Sequence, residues 1–216
     1  MDNVLATLLG SAAKAKLLRL FLTNPDAQWT LDEIRSATRL QTVSINRELK
    51  TLMKMSLIKS GDCKRQVQVK KGKVKKEINK KFKCFFVDKK FKFLSAIRQL
   101  LLNIDPAEDT EIIKGLKKVG AIKLLILSGV FLHEDDARVD LLIVADKIKE
   151  KALKNEIAKL ESHIGKEISY LDLSPAEFSY RLGMYDRLLR DILDAPYKIL
   201  IDKFKNSWQD LSMAKI

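Results

Sequence analysis

Residues 63–87, CKRQVQVKKGKVKKEINKKFKCFFV, constrain the fold more than any other stretch of the chain. Cys63, Val67 and Val69 alternate with Lys64, Gln66, Gln68 and Lys70, the period of a strand. Ile78, Phe82, Cys84 and Phe86 are spaced for the same face on the return, and Gly72 lies near the turn. The stretch therefore reads as a long β-hairpin turning near residue 73 or 74. Between Lys64 and Lys83 it carries ten Lys and Arg but one acid, Glu77. Such a turn puts Cys63 and Cys84 roughly opposite each other. The expectation for them is two reduced, packed thiols, with a redox switch as the alternative.

Helical patterns precede the hairpin. Ala13, Leu17, Leu18, Phe21 and Leu22 recur at helical spacing over Ser11 to Leu22, and Asn24-Pro25-Asp26 turns the chain. Thr30-Leu31-Asp32-Glu33 is a capping box that opens a short helix to about Thr38. A third helix covers roughly Thr42 to Met55, with Ile45, Leu49, Leu52 and Met53 inward. Three short helices with tight turns form a helix-turn-helix layout, and the hairpin completes the outline of a winged helix.

Charge is divided unevenly. The 216 residues carry a formal net charge of +13, yet residues 1–100 hold 23 Lys and Arg against 8 Asp and Glu. The first half is thus +15 and the remainder −2. This asymmetry favours a polyanion partner for the first half, most often nucleic acid, and the winged-helix outline points to double-stranded DNA. With 46% apolar residues the chain can bury a core, and two cysteines exclude a disulfide-rich scaffold. No apolar run approaches the length of a membrane span, so no membrane partner is expected. The N-terminus lacks a signal-peptide layout, which makes the cytoplasm the expected location.

On TLDEIRSATRL and TVSINRELKTLMKMSLIKS, segment 9–60 resembles the winged helix-turn-helix of bacterial and archaeal transcriptional regulators. The resemblance implies that the third helix enters the major groove with Thr42, Ser44, Asn46, Arg47 and Lys50 toward DNA. Lys64, Arg65, Lys70, Lys71, Lys73, Lys75 and Lys76 on the wing would lie along phosphates, adding affinity without sequence readout. Regulators of this kind bind as dimers, so a homodimer is expected.

The second half reads differently. A helix with apolar Phe93, Leu94, Ile97, Leu100 and Leu101 links the halves, and Asp105-Pro106-Ala107-Glu108 opens another that Gly120 closes. Strands are expected at Ala121–Leu127, Val139–Val144 and Glu167–Leu173, and a charged helix over about Lys147 to His163. Ser174-Pro175-Ala176-Glu177 is a second capping box, starting helical spacing that continues to about Leu193. LILSGVF followed by RVDLLIVAD, together with EISYLDLSPAEFSYRLGMYDRLLRDILDAPYKILID, resembles the minimal polymerase-beta-like nucleotidyltransferase fold. In active members a Gly-Ser pair holds phosphates, and carboxylates on neighbouring strands bind Mg²⁺.

The pattern is broken where that chemistry would sit. The pair is reversed as Ser128-Gly129, Arg138 occupies the first metal-ligand position, and Asp140 the second. The third carboxylate aligns near Ser169. A permanent guanidinium charge there repels a metal ion. The expectation is a degenerate site of Ser128, Gly129, Arg138 and Asp140, with Arg138 paired to Asp140 or Asp136. No catalytic residue, metal or cofactor is then expected, though a nucleotide or other anionic ligand is a candidate. P-loop and dinucleotide-binding glycine motifs are absent, and His133 and His163 stand apart from any nucleophile.

The expected chain is a two-domain α+β or α/β protein. A winged helix-turn-helix DNA-binding domain (three helices plus a long hairpin wing) occupies 1–90, a linker helix 91–104, and a nucleotidyltransferase-like domain 105–216. The expected function is DNA-binding transcriptional regulation, the second domain serving dimerisation, ligand sensing or partner binding. The alternative is an active Mg²⁺-dependent nucleotidyltransferase guided by its winged helix.

Overall fold

The computed structural model describes residues 4–71, 74–102, 108–134, 137–204 and 208. The chain is a mixed α+β protein that divides into two compact units, Met1–Ile104 and Asp105–Ile216. No helix among the described residues is long and apolar enough to cross a membrane.

In the first unit, α1 (Val4–Leu9), α2 (Ala12–Thr23), α3 (Leu31–Thr38) and α4 (Thr42–Lys54) surround one core with the two-residue strand β1 (Trp29–Thr30). Helix α1 is not announced by the sequence pattern. Six residues give too short a window for periodicity, and it is Leu5, fully buried in the core, that holds it. Ser11 caps α2 by accepting from the Lys14 amide at 3.2 Å. The capping box of α3 forms in both directions: the Glu33 amide donates to Thr30 Oγ1 at 3.2 Å, and the Thr30 amide to Glu33 Oε2 at 2.7 Å. Buried Ile45, Leu49 and Leu52 lay α4 on this core. Helix α5 (Leu94–Leu102), expected to link the halves, packs through Leu94, Ile97 and Leu101 on the same core.

Strands β2 (Ile58–Lys71) and β3 (Val74–Val87) pair antiparallel along their whole length, in a three-stranded sheet ordered β1-β3-β2. Lys71 faces Val74, so Gly72 and Lys73 connect the strands and lie outside the described residues. This register corrects the cysteine expectation. Cys63 stands opposite Phe82 and Cys84 opposite Gly61, a diagonal pair on one face. The two are joined as a disulfide rather than held as separate thiols. Ile58, Phe85 and Val87 root the hairpin in the helical core. Beyond Gly61 and Cys84, where β1 stops pairing, the hairpin continues as a two-stranded ribbon.

The second unit is built on a mixed sheet ordered β6-β5-β4-β7. Strand β4 (Ala121–Leu127) pairs antiparallel with β5 (Leu141–Asp146) and β7 (Lys198–Asp202), and β5 runs parallel to β6 (Tyr170–Leu173). Leu125, Leu141 and Ile143 pack with α6 (Asp109–Leu116) and α7 (Glu150–Ile164). Leu124, Ile126, Leu142 and Val144 pack with α8 (Pro175–Gly183), α9 (Arg187–Asp194) and Trp208. Helices cover both faces, which is why the central strands read as unbroken apolar runs.

Three expectations change here. The helix expected to continue to Leu193 breaks at Met184-Tyr185-Asp186, where Tyr185 has φ of 52° and Asp186 caps α9 through the Leu189 amide. Ser174 does cap α8 by accepting from the Glu177 amide, but the Glu177 carboxylate turns to Arg181 at 2.7 Å. Strand β7 adds to the expected set, because its pairing with β4 is made across some seventy intervening residues. The expected helix start at Asp105-Pro106-Ala107 lies outside the described residues, and α6 begins with Glu108 at its N-cap.

Candidate nucleic-acid interface

Helix α4 has two faces of opposite character. Ile45, Leu49 and Leu52 are buried, while Asn46, Arg47 and Lys50 are exposed and Thr42 and Ser44 half-buried. Val43 is 79% exposed and precedes Asn46, Arg47 and Lys50 at three, four and seven residues, so the four line one stripe. Glu48 sits on the inward side and is 4% exposed. Its Oε1 accepts from Ser11 Oγ at 2.9 Å and from Arg47 at 3.3 Å, and Lys14 Nζ lies 3.8 Å from Oε2. Glu48 thereby ties α4 to the start of α2 and steadies one end of Arg47. Sequence reasoning missed it, although an acid among inward positions of an amphipathic helix was the available signal.

On the hairpin, Lys64 is exposed and faces Lys81. Lys70 stands opposite Lys75, Lys71 opposite Val74 and Lys76 opposite Val69 in the register, while Lys73 lies outside the described residues. Arg65 differs from its expected role. Its Nε donates to Glu33 Oε1 at 2.8 Å, and its terminal nitrogen donates to Glu33 Oε2 at 3.3 Å and to the Gln28 carbonyl. The guanidinium is thus taken up in a clamp from the hairpin to the N-terminus of α3. Burial pushes the Glu33 carboxyl up, but the hydrogen bonds from Arg65 and from the Thr30 amide and hydroxyl hold it below the usual range.

In the second unit, the residues expected to form a degenerate site are tied together by internal hydrogen bonds. Ser128 is 1% and Asp140 6% exposed. Asp140 Oδ1 accepts from the Val130 amide and Oδ2 from the Ser169 amide, each at 2.8 Å. Ser128 Oγ donates to the Val139 carbonyl at 2.6 Å. Gly129, at φ of 53°, lets the carboxylate approach: a Cβ there would stand 2.0 Å from Asp140 Oδ1. These hydrogen bonds fasten the end of β4 to the segments leading into β5 and β6. Arg138 is not paired with Asp140; its guanidinium reaches Asp191 on α9 at 2.9 Å, and its side chain is 58% exposed. Asp136, the other expected partner, lies outside the described residues. Among the described residues no group of three or more His, Cys, Asp or Glu is placed to hold a metal ion.

Comparison of the chain with protein-family models, with curated proteins and with solved structures finds no match.

Proposed function

We propose that this chain is a DNA-binding transcriptional regulator whose first unit acts as a winged helix-turn-helix. The observation that carries the reading is the coincidence of charge and shape: a net +15 in residues 1–100, on a unit with a polar exposed face on α4 and a long basic hairpin. Asn46, Arg47 and Lys50 are suited to base edges or phosphates, and Lys64, Lys70, Lys71, Lys75 and Lys76 to phosphates. The second unit is read as nucleotidyltransferase-like in fold and non-catalytic, serving dimerisation, ligand sensing or partner binding. Supporting that reading, Asp140 accepts a backbone amide on each carboxylate oxygen.

The test is DNA binding as a function of salt. Neutralising Lys70, Lys71, Lys75 and Lys76 together should weaken binding and flatten the slope of log K against log salt by about 0.9 for each phosphate no longer neutralised. Arg47→Ala should shift site preference instead. Unchanged binding in both variants would remove the DNA assignment.

A further inference from the structure

The ribbon of β2 and β3 separates its carboxamide residues from its branched apolar ones, while cations occur on both faces. In an antiparallel pair, residues directly opposite share a face, and that face recurs every second residue. Gln66 stands opposite Asn79, and the neighbouring rung toward the root on that face is Lys64 opposite Lys81. All four are exposed. The next rung outward pairs Gln68 with Glu77, and the one beyond it Lys70 with Lys75. Every carboxamide residue between Lys64 and Lys83 therefore falls on one face, bracketed by two lysine rungs. Val67, Val69, Val74 and Ile78 all fall on the other, interleaved with Arg65, Lys71, Lys76 and Lys80.

A ribbon made only to grip phosphate would carry cations at the exposed Gln66 and Asn79 rung, as it does at the exposed Lys64 and Lys81 rung beside it. A carboxamide brings no charge to a phosphate but offers a donor and an acceptor side by side, the pattern matching N6 and N7 of adenine. The major groove admits a two-stranded ribbon, and side chains on adjacent rungs are about 7 Å apart, close enough for one rung to meet bases while the next meets backbone. We propose that Gln66 and Asn79 make this hairpin a sequence-reading element, directed at adenine in the major groove, with Lys64 and Lys81 holding the adjacent phosphates. The inference rests on the DNA-binding reading and departs from the expectation that the hairpin adds affinity alone.

The experiment uses the full chain and two duplexes: one selected by the wild-type protein from a randomised pool, and a shuffled duplex of the same composition. The Gln66→Ala/Asn79→Ala variant should lower the ratio of selected to shuffled affinity roughly tenfold or more, as removal of a bidentate base interaction does. Its affinity for the shuffled duplex and its salt slope should stay as in the wild type. The Lys64→Ala/Lys81→Ala variant should weaken binding to both duplexes alike and reduce the slope. In the selected duplex, 7-deazaadenine at one or more adenines should reproduce the amide loss in the wild type and have no effect in the amide variant. An amide variant that keeps the full affinity ratio overturns the proposal while leaving DNA binding intact; 7-deazaadenine without effect at every adenine overturns the adenine assignment. A wild-type chain that binds neither duplex overturns the DNA-binding reading itself. The four substituted positions are exposed, and an unchanged circular dichroism spectrum verifies that each variant is folded.

Discussion

Asp140 illustrates how one carboxylate can tie separate segments of a fold together. It is 6% exposed, and its two oxygens accept the Val130 and Ser169 amides, from segments before β5 and before β6. Removing the carboxylate takes the acceptor from two part-buried amides, each loss costing about 1 kcal/mol. Asp140→Ala should therefore destabilise the second unit by about 1–3 kcal/mol in urea unfolding. Gly129→Ala should destabilise it as well, because a Cβ would stand 2.0 Å from Asp140 Oδ1 at a backbone φ of 53°. The double variant should cost less than the two singles summed, since removing the carboxylate opens the space the new Cβ needs. Additive costs would show that Gly129 is required for its φ alone.

At the scale of elements, the junction between the hairpin and α3 is one that pH can tune. Arg65 on β2 meets Glu33, which also closes the capping box of α3, so one carboxylate serves a helix end and a strand. The folded-state pKa of Glu33 lies below its ordinary value. Its contribution to stability is therefore present above the unfolded-state value of about 4.3 and lost as pH falls through the lower folded value. The pair is partly exposed, 35% for Arg65 and 37% for Glu33, which limits its worth to about 1 kcal/mol or less. Urea midpoints of wild type and Arg65→Ala should differ at neutral pH and converge on acidification below about 4. Midpoints that stay equally far apart at low pH would mean that Arg65 acts through packing instead. The disulfide between Cys63 and Cys84 cross-links the same root of the hairpin, where Cys84 also pairs with Thr30 of β1.

For the whole molecule, the division into two units with separate cores sets the expectation for unfolding. One core gathers α1 to α5 with the hairpin root, and the other unit builds cores on both faces of its sheet. Units with their own cores unfold as units, so calorimetry should resolve two transitions. Asp140→Ala should lower one and leave the other in place; a single transition shifted as a whole would show that the units are coupled. The charge division follows the same line, with +15 in residues 1–100 and −2 in the remainder. The proposed DNA-binding reading therefore assigns recognition to one unit, and recognition should survive changes confined to the other.

Much of the local structure was legible because its causes are local. Helices α2 and α4 follow from apolar spacing, α3 from the Thr30 and Glu33 box, and β4 from an apolar run whose expected limits, Ala121 and Leu127, match the strand. The face sharing of Ile78, Phe82, Cys84 and Phe86 was likewise legible from period two. The amino-acid sequence by itself thus determined the helical and strand periods, the caps and the placement of charge, all set by residues within a turn or two of one another. Only the tertiary structure decided the ladder register, the cysteine partners, strand β7, the clamp of Arg65 on Glu33 and the partners of Arg138 and Asp140. Most of these join residues about twenty or more positions apart in the chain. Periodicity says which face a side chain takes, but which distant group meets it there is settled by packing and by the cost of leaving a buried polar atom unpaired.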